Sequence, residues 1–428
     1  MSTEHRFAEL GECLSLIIDH RGKTPKKLGS DWVAGGVPTI SANNVNDGRL
    51  VDKETIRYVT QDVYRRWMRN HDVRRGDCLL VSEGATLGQC MYWDEDQPIV
   101  LGQRLFCLRA NPEVLYPRYL YCYMTSYSFQ SEVVARSTGT SVPGLRQTEV
   151  LKLQLRLPPI EEQRIIGDLL YSLNKKIELN RRISDTLDAM SRALFKSWFV
   201  DFDPVCAKME GRDPGLPMPL ADLFPDSFED SELGEIPKGW EVKTLGDLLE
   251  LAYGKALKAE DRRDGNIPVY GSNGQVGWHD ERLVAGPGIV VGRKGNPGIA
   301  TWVPTDFFPI DTTFYVVPKL GCRSLEFLFH VLRTHDLASL GADSAVPGLN
   351  RNLAYMSSQV LPPAPLLAHF ERHTSAFSQR VNHANDEIRT LVALRDTLLP
   401  KLISGELRVK VAEKFIPYDA RRTSEVGT

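Results

Sequence analysis

A motif that occurs twice constrains this chain more than anything else in it. Ser141-Val142-Pro143-Gly144-Leu145 recurs as Ala345-Val346-Pro347-Gly348-Leu349, and Leu157-Pro158-Pro159 recurs as Leu361-Pro362-Pro363, both displaced by 204 positions. Two matches at one offset mark an internal repeat, and a repeat sets the architecture before any single motif is weighed. Fainter echoes lie upstream: Leu10-Gly11-Glu12 against Leu245-Gly246-Asp247, Val37-Pro38 with Asn43 against Ile267-Pro268 with Asn273, and residues 76–84 against 287–295. Their offset drifts, so the two copies of one fold differ by loop insertions. Within each copy, short apolar runs (Cys78 to Val81, Arg104 to Leu108, Gly288 to Val291, Thr313 to Val317) are punctuated by Gly, Pro, Asn or Asp. That pattern predicts strands joined by tight loops.

After each Leu-Pro-Pro the period changes. Ile166, Leu169, Leu170, Leu173, Ile177, Ile183, Leu187, Met190, Leu194 and Trp198 follow a three-and-four spacing that predicts one long amphipathic helix. In the second copy Phe377, Val381, Ala384, Ile388, Leu391, Leu398 and Leu402 are heptad positions, with Arg395 interrupting, which predicts a coiled-coil seam. Prolines 158, 159, 362, 363 and 365 suit helix starts, and Pro400 with Gly405 marks the expected end of the second helix. Helices of about 35 to 40 residues are roughly 50 to 60 Å long at 1.5 Å per residue. A lone helix of that length cannot bury its stripe, so the two are expected to lie antiparallel. Asn180 falls near their seam, where a buried amide fixes register at a cost in stability; the alternative is a frayed, exposed position.

The expected fold class is α+β: two repeated β-rich domains separated by two long antiparallel helices forming a coiled-coil rod. The boundaries read as a first domain at 1–157, a central long helix at 158–200, a connector at 201–240, a second domain at 241–364, a distal long helix at 365–405 and a tail at 406–428. The connector carries ten Asp or Glu against three Lys or Arg, together with six prolines, and reads as an extended linker. It holds a net −7 of the chain's −3, so everything else is mildly basic at +4. Composition therefore permits a nucleic-acid partner without demanding one.

Other classes are disfavoured one at a time. No run approaches the apolar length of a membrane span, and Met1 to Leu10 lacks a signal-peptide pattern, so a cytoplasmic location is expected. The seven cysteines are scattered with no CxxC pair, which argues against disulfides and zinc and for reduced, packed thiols. His369 and His373 have zinc-helix spacing, but Phe370 stands where the catalytic Glu belongs. Gly22-Lys23-Thr24 ends like a phosphate loop, yet Ile17 occupies the position of its first glycine. Pro225-Asp226 with Glu229 lacks the nuclease lysine, Ser231 standing in its place, and no amino-methyltransferase tetrapeptide occurs.

Two similar but non-identical domains at the ends of a rod suit a DNA target with two different half-sites, one helical turn being about 34 to 36 Å. Particular residues sharpen this. Phe195 to Val205, Leu223 to Phe228, Leu233 to Trp240, Leu157 to Gln163, Lys175 to Asn180 and Leu398 to Gly405 closely resemble the specificity subunits of type I restriction-modification systems, and the resemblance spans the whole chain. The second Leu-Pro-Pro departs from that pattern, being followed by Ala364-Pro365-Leu366-Leu367. The resemblance implies two target-recognition domains, no active site, double-stranded DNA as ligand, and assembly with two methyltransferase subunits and with restriction subunits. S-adenosylmethionine, ATP and Mg²⁺ would belong to those partners.

Candidate DNA-facing residues lie in polar or glycine-punctuated loops, often at matching places in both copies. In the first they are Arg21, Lys23, Lys26, Lys27, Ser41, Asn43, Asn44, Ser82, Glu83, Arg136, Ser141 and Arg146. In the second they are Lys255, Lys258, Arg262, Arg263, Ser272, Asn273, Arg293, Lys294, Asn296, Asn350, Arg351 and Asn352. Lysines and most arginines would hold phosphates, while Asn43, Asn273, Arg293 and Asn352 suit base edges; plain solvation of the loops is the competing reading. Trp198, Phe199, Phe202 and Phe224 could dock a methyltransferase or pack against the chain's own helices.

Overall fold

The computed structural model describes residues 6–69, 71–139, 142–340 and 348–407. The chain divides into two compact units, one formed by 1–181 with 387–428 and the other by 182–386. Each is α+β.

In the first unit a four-stranded antiparallel sheet runs in the order Leu14–Asp19, Leu105–Ala110, Cys78–Val81, Cys90–Tyr92. A three-stranded sheet runs Arg57–Val59, Val37–Ile40, Val100–Leu101, the last pair parallel. Strand Arg6–Glu9 pairs with Gln154–Leu157, so the copy's beginning closes on its end. The second unit repeats every step. Its four strands are Leu249–Tyr253, Thr313–Pro318, Gly288–Gly292 and Ala300–Val303, and its three are Gly274–His279, Ile267–Gly271 and Phe308–Pro309, again with one parallel pair. Glu241–Thr244 closes on Ser358–Leu361. The sequence repeat is thus a repeat of topology.

The apolar runs explain the sheets. Cys78–Val81 is buried throughout, Cys78 and Leu80 entering one hydrophobic cluster and Leu79 and Val81 another, as alternation across a doubly covered sheet requires. Gly288–Gly292 does the same, with Ile289 and Val291 on one face and Val290 on the other. The repeated motif is stitched to the loop that follows this central strand: Leu145 N–H donates to the Ser82 carbonyl at 2.7 Å, and Leu349 N–H to the Arg293 carbonyl at 2.9 Å. Ser141 and Ala345 to Pro347 lie outside the described residues.

The long helices span Ile160–Phe199 and Ala364–Ile403, 40 residues each. Pro365 sits in the first turn of the second, where its missing N–H leaves no helical bond unmade. Pro400 is not the stop it was expected to be. It lies inside the last turn, three residues before the helix ends, and the left-handed backbone (φ +73°) comes at Gly405. Within the first unit the helical segments run antiparallel: Asn174 meets Arg395, Lys176 and Asn180 meet Glu387, and Leu169, Leu170 and Leu173 share a core with Leu398 and Leu402. Asn180 is fully buried and its amide donates to Glu387 at 2.8 Å, so the polar seam position is real. Within the second unit Trp198 packs on Phe370 and His373, while Leu187 and Ser191 line one cleft with Phe377 and Val381, again antiparallel. Met190, expected on the stripe, is half exposed; Ser191 is buried in its stead.

The acidic segment 201–240 is not an extended linker. It forms a helix at Asp203–Met209, a turn of helix at Met218–Ala221 and a hairpin pairing Phe228–Ser231 with Gly234–Pro237. Its carboxylates lie on the surface while Val205, Leu220, Phe224, Ile236 and Trp240 enter the second unit's core, which is why high charge and proline content did not keep it unfolded. All seven cysteines are free, six of them buried. Of the tail, only Glu406 and Leu407 are described.

Candidate nucleic-acid interface

In the second unit, backbone hydrogen bonds gather three loops around one carbonyl. Thr312 O accepts from the N–H groups of Arg293 (3.0 Å) and Lys294 (3.1 Å) and from Ser272 Oγ (2.8 Å). Asn296 then donates its side-chain amide to Asn273 Oδ1 at 2.7 Å. Because Leu349 is bonded to Arg293, the short helix Arg351–Tyr355 joins the cluster, its N-terminus capped by Asn350 through the N–H groups of Asn352 and Leu353. Arg293 and Arg351 both lie over the Tyr253 ring, at 4.9 and 4.8 Å from its centroid. Lys255, Lys294, Asn273, Asn296 and Asn352 are exposed around this patch.

Three predicted cations of this unit do not serve it. Arg263 pairs with Asp280 and Glu281 at the far end of the Ile267–Gly271 and Gly274–His279 hairpin, some 15 Å along the strands from the turn that carries Asn273. Arg262 donates to the Val276 carbonyl, and Lys258 faces Glu260. Arg263 and Lys258 are thus answered by carboxylates, while Arg262 spends a donor on a backbone carbonyl of the hairpin.

The first unit builds the corresponding patch with different bonds. Gln103 is its organiser: its Oε1 accepts from Gly22 N–H, its amide donates to the Lys23 carbonyl, and its own carbonyl accepts from Ala42 N–H. Ser82 N–H donates to the Arg104 carbonyl and Leu145 closes on Ser82. Several expected readers are used up here. Arg21 forms a bidentate pair with Asp19 (2.7 Å), donates to the Leu145 carbonyl and lies over Phe106. Burial pushes the Asp19 carboxyl up, yet the Arg21 hydrogen bonds and charge outweigh it and hold the group below its ordinary range. Lys23 donates to the Trp67 carbonyl, and burial lowers its ammonium. Asn44 is buried in a capping box with Ser41 and bonds Thr55. Ser82 is fully buried, Glu83 pairs with Arg104 at 3.3 Å, and Arg136 pairs with Glu132 and Glu149. These are framework groups: Ser82 is shut away by burial, and each of the others has a partner that a nucleic acid would have to displace. Lys26, Lys27, Asn43 and Arg146 remain on the surface; Ser41 and Asn43 line a cleft of about 160 Å³ with Trp32, Arg57 and Gln103.

Trp198, Phe199 and Phe224 are buried in the second unit's own core, so they present no docking surface; Phe202 is half-buried against Phe228 and Trp240. Sequence reasoning missed Tyr253, Gln103 and Arg104. The last adopts a left-handed backbone (φ +62°) at the position matching Thr312, and extending the repeat alignment through residues 102–104 and 310–312 would have found it. Among the described residues no cluster of three or more His, Cys, Asp or Glu gathers as a metal set.

Comparisons with known proteins agree with this arrangement. The chain matches the type I restriction modification DNA specificity domain over residues 4–189 and again over 237–352. It is 24% identical over 407 residues to the type I restriction enzyme HindI specificity subunit of Haemophilus influenzae, covering 78% of this chain and 87% of that one. It is likewise 24% identical over 418 residues to the putative type I restriction enzyme MjaX specificity subunit of Methanocaldococcus jannaschii, covering 88% of each. The type I restriction-modification S subunit from M. genitalium shares the fold, with a TM-score of 0.63 at 17% identity over 94% of this chain and 96% of that one. With the family matched over both copies of the repeat and over most of its length, this chain belongs to the type I restriction-modification DNA specificity family.

Proposed function

We propose that the chain reads an asymmetric two-part DNA target, one part by each copy of the repeat, with the heads at 1–157 and 241–364. The observation that carries this reading is one backbone frame built twice with different side chains on its loops, as two unlike half-sites would need. Lys26, Lys27 and Arg146 in the first head, and Lys255 and Lys294 in the second, hold phosphates. Asn43, Asn273, Asn296, Arg293 and Asn352 offer donors and acceptors suited to base edges. The two 40-residue helices, about 60 Å each, set the spacer between half-sites.

The family is one of specificity subunits, so the chemistry belongs to others: two methyltransferase subunits supplying S-adenosylmethionine, and restriction subunits supplying ATP and Mg²⁺. A chain of net charge −3 relies on these partners for many phosphate contacts. Assembly takes place in the cytoplasm, where a DNA specificity family would act; no described helix is long and apolar enough to cross a membrane. Footprinting the chain together with its methyltransferase partner tests the reading. Two protected patches flanking an unprotected middle are expected; one continuous patch or no protection would overturn it.

A further inference from the structure

Tyr253 ends the strand Leu249–Tyr253 with half its surface exposed, and what surrounds it is unusual for an exposed tyrosine. Two guanidiniums converge on its ring, Arg293 at 4.9 Å and Arg351 at 4.8 Å, and among the described residues neither pairs with a carboxylate. Their protein partners are backbone carbonyls: Arg293 donates one N–H to Asp311 O (3.0 Å) and Arg351 one to Leu251 O (3.3 Å). A guanidinium carries five donors in a planar fork, so most of each fork is left for an outside acceptor.

The two arginines differ in how firmly they are held. Arg293 has its N–H on Thr312 O and its carbonyl on Leu349 N–H, and its side chain spans the Tyr253 and Phe314 rings, which are themselves 5.0 Å apart as cross-strand partners. A side chain clamped at the backbone and laid on two rings presents its fork in one direction. Phosphate neutralisation does not need that precision, since a flexible lysine serves. Guanine does: its O6 and N7 accept two parallel bonds from one correctly aimed arginine.

We propose that Arg293 reads a guanine in the half-site of the second unit and that Tyr253 is the positioning residue that aims it, with Arg351 bracing the same ring. The inference rests on the DNA-reading function proposed above and adds the base and the residue that orients its reader.

The test uses the full chain assembled with its methyltransferase partners. The bases required in each half-site are mapped by sequencing methylated DNA for the wild type, Tyr253→Phe, Tyr253→Leu and Arg293→Lys. A G·C pair is expected in the half-site of the second unit. Tyr253→Leu and Arg293→Lys should each lower discrimination at that single base pair by about tenfold to a hundredfold, leave every other position intact, and leave the first half-site unchanged. Tyr253→Phe keeps the ring and should keep discrimination. Three results would overturn the proposal: no guanine in that half-site, unchanged discrimination in Tyr253→Leu, or an even loss across all sequences with a shallower salt dependence, which is the signature of a phosphate contact. A wild-type complex that methylates no bipartite site would overturn the DNA-reading function itself, and is thereby distinguishable from failure of the tyrosine's role alone.

Discussion

In the first unit the strand that meets Phe106 ends at Asp19, and Arg21 beside it is neutralised by that carboxylate. In the second, the corresponding strand meets Phe314 and ends at Tyr253, and Arg293 and Arg351 lie on the ring with no carboxylate among the described residues to answer them. The backbone around both places is the same: four strands in the same order, and a Leu N–H returning to the loop after the central strand. Ladder hydrogen bonds come from the main chain, which every side chain except proline leaves intact, so a surface on such a frame changes without disturbing the frame. What the pair of units teaches is how one fold can be specific for two unlike targets.

The divergence reaches inward as well. Asp77, nearly inaccessible, takes two hydrogen bonds from Arg109 at 2.8 Å and one from Arg74 N–H; by strand register the second unit has Gly288 and Val317 at these places. The largest effect expected from any single change follows from this. Asp77→Ala leaves Arg109 partly buried without its anion and should destabilise the first unit by about 3–5 kcal/mol. Amide exchange should then quicken across Cys78–Val81 and hold steady across Gly288–Gly292; equal quickening in both would mean the units do not behave as separate bodies. A smaller effect is expected at the surface. Asn43→Ala and Asn273→Ala occupy matching loops, and each should cost about 1–3 kcal/mol of affinity at one half-site, a different one for each variant. Binding to DNA with one half-site scrambled would read this out, and loss at the same half-site for both variants would break the correspondence between copies.

The smallest effect concerns pH. Asp19 is held below its ordinary value of 3.8 in the folded chain, so its stabilising pair with Arg21 is fully present above that value and is lost as pH falls through the lower folded one. A carboxyl titration followed by NMR should place the Asp19 midpoint below 3.8, and the Tyr253 ring should not report that transition because, among the described residues, no carboxylate pairs with either arginine on it. A midpoint at or above 3.8 would show that the first unit's arginine is as free as those of the second.

Much of the fold was legible from local pattern. The repeat, the strands Cys78–Val81 and Gly288–Gly292, and helices beginning just after each Leu-Pro-Pro all follow from apolar spacing and proline placement, which act over a few residues. The folded state of 201–240 was not legible, because its charge and proline content masked a few apolar residues, Phe224 and Trp240 among them, whose partners lie elsewhere in the second unit. The candidate site was legible as a set of loops and poorly as a set of residues. Asn43, Asn273 and Lys294 stay exposed, but Ser82 and Asn44 are buried and Tyr253 was passed over.

The chain's sequence, taken alone, determined that one fold would be built twice and that two long helices would accompany it, since periodicity and turn chemistry are properties of neighbouring residues. Only the tertiary structure decided which polar side chains were left to meet a ligand. Arg21 is spent on a carbonyl 124 residues away, Gln103 on a loop 80 residues back, and Arg293 is aimed by a ring 40 positions earlier. Whether a donor is satisfied depends on what the fold brings to it, and no local pattern carries that information.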